Sequence, residues 1–276
     1  MLRAAHRTFP KLTLTPSHPL PLFHWKDAFV TSVLAVNPHV VVVLRSPGAV
    51  LMPWIDAVPA VIHQGFPGQE AGTALGEALV GAINPRGRLT ITFPKTLNDT
   101  WLSGPGGGPI LPERWPGVQL PGDDFSTVFY DEGLFVGYRW YDAQGTAPLF
   151  PFGFGLSYSN FSYSALSVSG AVSPTASATI TALITHTGGP AGGELAQLYV
   201  AGLPGDPPKA LKKWARAELA PGGSVNVTFV LEARDLTTWN VAAHAHVLFP
   251  AGAYDVWVGA SAQDLRLSGS VRVAAQ

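Results

Sequence analysis

Cysteine is absent from the sequence, which excludes disulfides, thiolate metal sites and cysteine nucleophiles. Charge is scarce as well: Asp, Glu, Lys and Arg make up 13% of residues, about half the usual share of roughly 25%. The formal net charge of −1 gives no field to hold a polyanion, so nucleic acid is not an expected partner. No apolar run approaches the roughly 20 residues of a membrane-spanning helix, and no membrane association is expected. The N-terminal MLRAAHRTFPKLTLTPSHP lacks the continuous apolar segment of a signal peptide. No Gly-x-Ser-x-Gly elbow occurs either, which removes the usual signature of an α/β-hydrolase serine nucleophile.

Apolar residues, turns and aromatics fill the space. Hydrophobic residues reach 47%, with 30 glycines and 25 prolines among 276 positions. Such a chain has room for two domains of ordinary size, and its punctuation favours short strands over a helical bundle.

The patterning divides the chain into segments 1–19, 20–96, 97–158 and 159–276. The first carries no periodicity and no carboxylate. In the second, WKDAFVTSVLAVN (25–37) predicts an amphipathic helix with Phe29, Val33 and Val36 on its apolar face. HVVVVLRS (39–46) and AVPAVIHQGF (57–66) predict parallel strands buried on both faces. GTALGEALVGAI (72–83) predicts a short helix ended by Asn84-Pro85, and GRLTITFP (87–94) an alternating strand. These elements read as the tail of an α/β sandwich. Segment 97–158 reads as a linker and inter-domain joint. In the fourth segment, SYSALSVSG, ATITALITHTG, LAQLYVAG, SVNVTFVL, AYDVWVGAS and LRLSGSVRV each alternate apolar and polar residues. That spacing predicts an all-β sandwich of the immunoglobulin or fibronectin III kind, with Tyr199 and Trp257 at least partly buried.

Candidate chemistry is thin. SGPGGGP (103–109) lacks the flanking strand, helix and Lys-Ser/Thr of a phosphate-binding loop. His244-Ala-His246 would share a strand face, but no third ligand lies nearby, so no metal is assigned. Glu70, after a Pro-Gly turn, is the most tempting lone carboxylate; it is read as structural, accepting N–H groups at the start of the next helix. Asp131 and Glu132 would point to opposite faces of a strand, and Asp123-Asp124 reads as solvated loop. No catalytic residue and no cofactor are assigned. In FVGYRWYDAQGTAPLFPFGFGLSY (135–158), the spacing of aromatics and glycines favours a tight packed corner; an exposed sugar-stacking surface is the functional rival. Asn98, Asn160 and Asn226 stand in Asn-x-Ser/Thr sequons, which points towards the secretory pathway.

Two stretches carry a family resemblance. VVVVLRSPGAVLMPWIDAVPAVIHQGFPGQEAGTALGEALVGAINPRGRLTITFPKT (40–96) resembles the end of the second domain of family 3 glycoside hydrolases, the β-glucosidases, β-xylosidases and their relatives. Its most telling pieces are Pro67-Gly68-Gln69-Glu70 with Gly72, Gly81, Asn84-Pro85-x-Gly87-Arg88-Leu89 and Thr92-Phe93-Pro94. YDEGLFVGYRWYD and PLFPFGFGLSY, followed by GGELAQLYV, LAPGGSVNVTFVL and GAYDVWVGASAQDLRLSGSV, resemble the same family's fibronectin III-like C-terminal domain.

The resemblance implies a retaining glycosidase acting on an oligosaccharide or glycoside. Such a mechanism requires two carboxyl groups about 5–5.5 Å apart. In the family the nucleophile is an aspartate of an N-terminal (β/α)8 barrel, and the acid/base of the β-glucosidase branch is a glutamate upstream of the helix matched by 20–38. Neither has a counterpart here, since the first carboxylate of the chain is Asp27. The expectation is therefore a C-terminal fragment that is inactive alone. A non-catalytic carbohydrate-binding or adhesion module is the alternative.

Overall fold

The computed structural model describes residues 24–104, 107–122 and 126–275. Segment 1–19, the start of segment 20–96, part of the glycine-rich stretch and the Asp123-Asp124 pair lie outside the described residues.

The first elements are α1 (His24–Val36), β1 (Val41–Leu44), β2 (Ala60–His63) and α2 (Ala71–Leu79). β1 and β2 pair in parallel, in register from Val41↔Ala60 to Leu44↔His63. Burial on both faces does not hold: only Leu44 is buried, while Val41 is exposed. Two strands offer one covered face, formed by Leu44, Met52, Trp54 and Phe93 with Val30, Val61 and Phe150 packed against them.

α1 is turned differently from its expected face. Val30 packs on that core and Asp27 accepts a hydrogen bond from the Trp54 indole at 2.8 Å. Phe29 and Val36 are 61% and 85% exposed. Each residue advances a helix by about 100°, so seating Val30 carries its neighbour Phe29 away from the core. α2 also ends early, at Leu79. Gly81, at φ +75°, donates to Ala78 O (3.1 Å), and Ala82 donates to Glu77 O (2.8 Å). This left-handed closure favours glycine and stops the helix before Asn84-Pro85.

Residues 87–94 do not form a regular strand. They run beside the aromatic segment in interrupted pairing: Leu89 with Phe154 and Gly153, and Phe93 with Phe150 and Leu149, all at 2.8 Å. Pro151 has no N–H to donate, so no continuous ladder forms. Segment 97–158 contains the short pair β3 (Val118–Gln119) and β4 (Ser126–Thr127), and the helix α3 (Tyr138–Gln144).

β5 (Asn160–Ser169), β6 (Ala178–Gly188), β7 (Gly192–Ala201), β8 (Lys209–Leu219) and β9 (Ser224–Leu231) follow. After them come the hairpin β10 (Thr237–Asn240) and β11 (Ala245–Leu248), then β12 (Gly252–Gly259) and β13 (Leu265–Val273). One antiparallel sheet runs β13-β12-β7-β8 and the other β5-β6-β9. The expected all-β sandwich is thus present. Inward residues of both sheets, among them Ile180, Ile184, Leu198, Val200, Phe229 and Val256, form the main core. Tyr199 is fully buried and Trp257 half-buried, as expected.

Candidate functional site

The corner at 149–159 joins the α/β elements to the sandwich. Its chemistry starts with Asn84. The amide oxygen accepts from Tyr158 N (2.8 Å) and the Ser157 hydroxyl (2.9 Å); the amide nitrogen donates to the Ser159 hydroxyl (2.8 Å) and Ala191 O (3.0 Å). Asn84 therefore ties α2's exit to the start of the sandwich.

Four residues further on, Arg88 reaches β7. The Arg88 guanidinium contacts Glu194 at 3.1 Å, with both side chains 6% exposed. The Tyr163 hydroxyl donates to the same carboxylate at 3.0 Å. Burial pushes the Tyr163 hydroxyl well above the ordinary tyrosine range, and the Glu194 charge adds to that shift. The phenol therefore stays protonated as a donor.

Gln197 of β7 closes the other side. Its amide donates to Gly153 O (3.2 Å) and Ala260 O (2.7 Å) and accepts from the Tyr199 hydroxyl (2.7 Å). Around it Tyr138 stacks on Phe152 (4.9 Å between centroids) and meets Tyr199 edge-on (6.0 Å). The Tyr138 hydroxyl accepts from Leu211 N at 2.9 Å. Trp140 and Tyr141 are buried. Of the 135–158 aromatics, Tyr158 is exposed, and its hydroxyl donates to Ala78 O at 2.8 Å. The aromatic segment is thus packed inward.

Two carboxylates at the corner are neutralised in place. Glu194 faces Arg88. Asp142 of α3 meets the Lys209 ammonium at 2.6 Å and accepts from Gln263 at 3.0 Å. Burial raises the Asp142 carboxyl above its usual range, an effect that Lys209 and Gln263 oppose. Both carboxylates are held by cations, an arrangement suited to locking elements together.

The residues singled out from sequence fall elsewhere. Glu70 precedes α2 but caps no backbone N–H; its carboxylate accepts from the Thr73 hydroxyl at 3.0 Å. The helix-capping role expected of it is therefore wrong, because the residue's backbone (φ −83°, ψ 17°) is not in the extended region from which a capping side chain reaches the first N–H groups. Asp131 and Glu132 lie in a turn rather than a strand, with Asp131 paired to Arg114 at 3.0 Å. His244 stands in the β10–β11 turn at φ +46° and His246 on β11, so the two do not share a strand face. Among the described residues no cluster of three or more His, Cys, Asp or Glu could hold a metal ion.

Residues 16–158 match the glycosyl hydrolase family 3 C-terminal domain, and residues 194–262 the fibronectin type III-like domain. A β-glucosidase of Rhizobium radiobacter is 39% identical over 251 residues, covering 90% of this chain and 29% of the relative. Another, cel3A of Pyricularia oryzae, is 37% identical over 274 residues, covering 91% and 35%. The solved structure of DesR, a β-glucosidase from Streptomyces venezuelae in complex with D-glucose, superimposes with a TM-score of 0.80. It shares 34% identity, over 90% of this chain and 30% of that one. These matches place the chain among the glycoside hydrolases. It belongs to glycosyl hydrolase family 3 and corresponds to the C-terminal portion of its β-glucosidase-type members. It spans about a third of the length of those relatives.

Proposed function

We propose that the chain is the C-terminal portion of a retaining β-glycosidase that removes terminal β-D-glucosyl or β-D-xylosyl residues in carbohydrate catabolism, and that it is catalytically silent by itself. The observation carrying this reading is the fate of the two carboxylates at the corner. Glu194 and Asp142 are closed by Arg88 and Lys209, whereas retaining hydrolysis needs one free carboxylate to attack and one carboxylic acid to protonate the leaving oxygen. In this reading the two catalytic carboxyl groups belong to the part of the family's architecture that includes the (β/α)8 barrel. Trp25, Phe29, Val36, Phe66 and Val80, all exposed on the α/β elements, would supply the apolar surface on which that part packs.

Purified chain should show no turnover of aryl β-glucosides or β-xylosides above a buffer control, and Glu70→Gln should leave that blank unchanged. Hydrolysis abolished by Glu70→Gln would overturn the assignment and make Glu70 catalytic. Saturable oligosaccharide binding without turnover would instead favour a carbohydrate-binding module.

We further propose that the parent protein passes through the secretory pathway and carries N-glycans. Asn98, Asn160 and Asn226 are all exposed, which leaves room for a glycan at each. Directed into the secretory route of a eukaryotic host, the chain should lose mass on peptide:N-glycosidase treatment. An unchanged mass at all three asparagines rejects the idea.

A further inference from the structure

The outer face of the sheet β5-β6-β9 carries no charge. Side chains alternate along a strand, and Tyr163, Ile184 and Phe229 turn towards the core, so their neighbours point outward. Asp, Glu, Lys and Arg are absent from all three strands. On β9 the outward positions include Ser224, Asn226, Thr228 and Val230, all exposed. Leu183 of β6 stands opposite Asn226, and Ser164 of β5 opposite Leu183. The Thr185 and Ser224 hydroxyls share a hydrogen bond across the same face at 2.8 Å.

β9 is also an edge of its sheet. Edge strands present unpaired backbone groups, and charged side chains or a cover normally keep them from pairing with another chain. β8, an edge of the opposite sheet, has Lys209, Lys212, Lys213 and Arg216; β9 has no such residue. It has instead a sequon, Asn226-Val-Thr228, with the asparagine inside the strand on the exposed face. The chemistry of that face suits a sugar. Ser164, Thr181 and Thr185 flank one aliphatic side chain, Leu183, as the hydroxyls of a pyranose flank its C–H faces, and no charge has to lose its water. From Asn226 across Leu183 to Ser164 is two strand spacings, about 10 Å, within reach of the first two sugars of a glycan. A tether at Asn226 holds those sugars at high effective concentration over the face. Attachment therefore fixes the occupant, and affinity need only seat it.

We propose that an N-linked glycan on Asn226 lies down over this face, its first sugar seated on Leu183 and its second towards Ser164, and covers the β9 edge that charge leaves bare. Attachment replaces one Nδ2–H of Asn226 by a bond to C1 of the sugar; the lipid diphosphate of the oligosaccharide donor leaves, and the displaced proton passes to solvent. The inference rests on the reading that the parent protein is N-glycosylated, and adds where one glycan goes and what it does there.

The test uses the full chain directed into the secretory route of a yeast host. Peptide mapping reports whether Asn226 is occupied. On the native glycoprotein, NMR should show nuclear Overhauser contacts between the Leu183 methyl groups and the first N-acetylglucosamine. Peptide:N-glycosidase should release this glycan slowly. Leu183→Thr removes the apolar seat and keeps a strand-forming residue, so it should speed release by about tenfold, the factor expected from losing half the burial of a leucine. The NMR measurement needs no variant, so a poorly folded Leu183→Thr chain does not spare the proposal. An occupied Asn226 without Leu183 contacts overturns this inference and leaves the glycosylation reading standing. Equal release from a folded Leu183→Thr chain does the same. An unmodified Asn226 peptide overturns this inference together with the glycosylation reading at that site.

Discussion

Replacing Arg88 with methionine should lower the unfolding free energy by about 3–5 kcal/mol, the usual cost of breaking a buried ion pair from one side. Glu194 would keep the Tyr163 hydroxyl at 3.0 Å but lose the Arg88 ion pair, in a position where its side chain is 6% exposed. The loss reflects a stranded charge more than a lost attraction. Arg88→Met combined with Glu194→Leu and Tyr163→Phe, which removes the hydroxyl that would otherwise lose its acceptor, should therefore recover most of the stability, since a well-packed apolar cluster is often as stable as a buried ionic one. Arg86–Glu218, at 2.7 Å but about half-exposed on both sides, provides the contrast: Arg86→Ala should cost less than about 1 kcal/mol. Urea unfolding of the three variants and the parent chain measures all of this. A cost below 1 kcal/mol for Arg88→Met would mean that the pair does not hold the corner.

The sandwich was legible in sequence where burial alternates cleanly. ATITALITHTG reads as β6 because every second residue of Ala178–His186 is buried. β8 was missed because Lys209, Lys212, Lys213 and Arg216 interrupt its apolar pattern. As an edge strand in the sheet β13-β12-β7-β8, it bears charges of the kind that protect exposed edges. The hairpin β10–β11 was missed for a related reason: its strands have four residues each and are largely exposed, so burial imposes little periodicity. In the α/β elements, the register of α1 depended on which apolar stripe met Trp54, and both stripes are apolar in sequence.

The corner itself was readable only in outline. Glycine and aromatic spacing at 149–158 indicated tight packing, but not which polar residues would close it. Arg88 and Glu194 are separated by 106 positions and Gln197 and Gly153 by 44. Single polar residues that meet across such distances leave no periodic signal. Their pairing depends on the folded corner, and their importance shows only in what each would strand if removed.

Gln197 gives the sharpest case. It is 2% exposed and joins three otherwise separate groups: Gly153 O from the corner, Ala260 O after β12, and the Tyr199 hydroxyl. Leucine has nearly the same volume and none of these bonds, so Gln197→Leu separates polar loss from packing loss. Each stranded group costs roughly 1–3 kcal/mol, and the variant should lose about 3 kcal/mol or more. Tyr199→Phe strands only one group, the Gln197 Oε1, so it should lose about 1–3 kcal/mol, less than Gln197→Leu, which strands three. Gly153→Ala approaches the same point from the other side. Gly153 adopts φ +82°, and a Cβ there would overlap the Gln197 amide, so the variant should be destabilised by an amount closer to Gln197→Leu than to Tyr199→Phe. Chemical unfolding ranks the three, and limited proteolysis reports where the damage falls. Cleavage within 149–156 should accelerate in Gln197→Leu and Gly153→Ala while the β5–β9 strands stay resistant. A Gln197→Leu chain within 1 kcal/mol of the parent, with its corner equally protected, would show that the aromatic stacking of Tyr138 and Phe152 holds the joint without the amide.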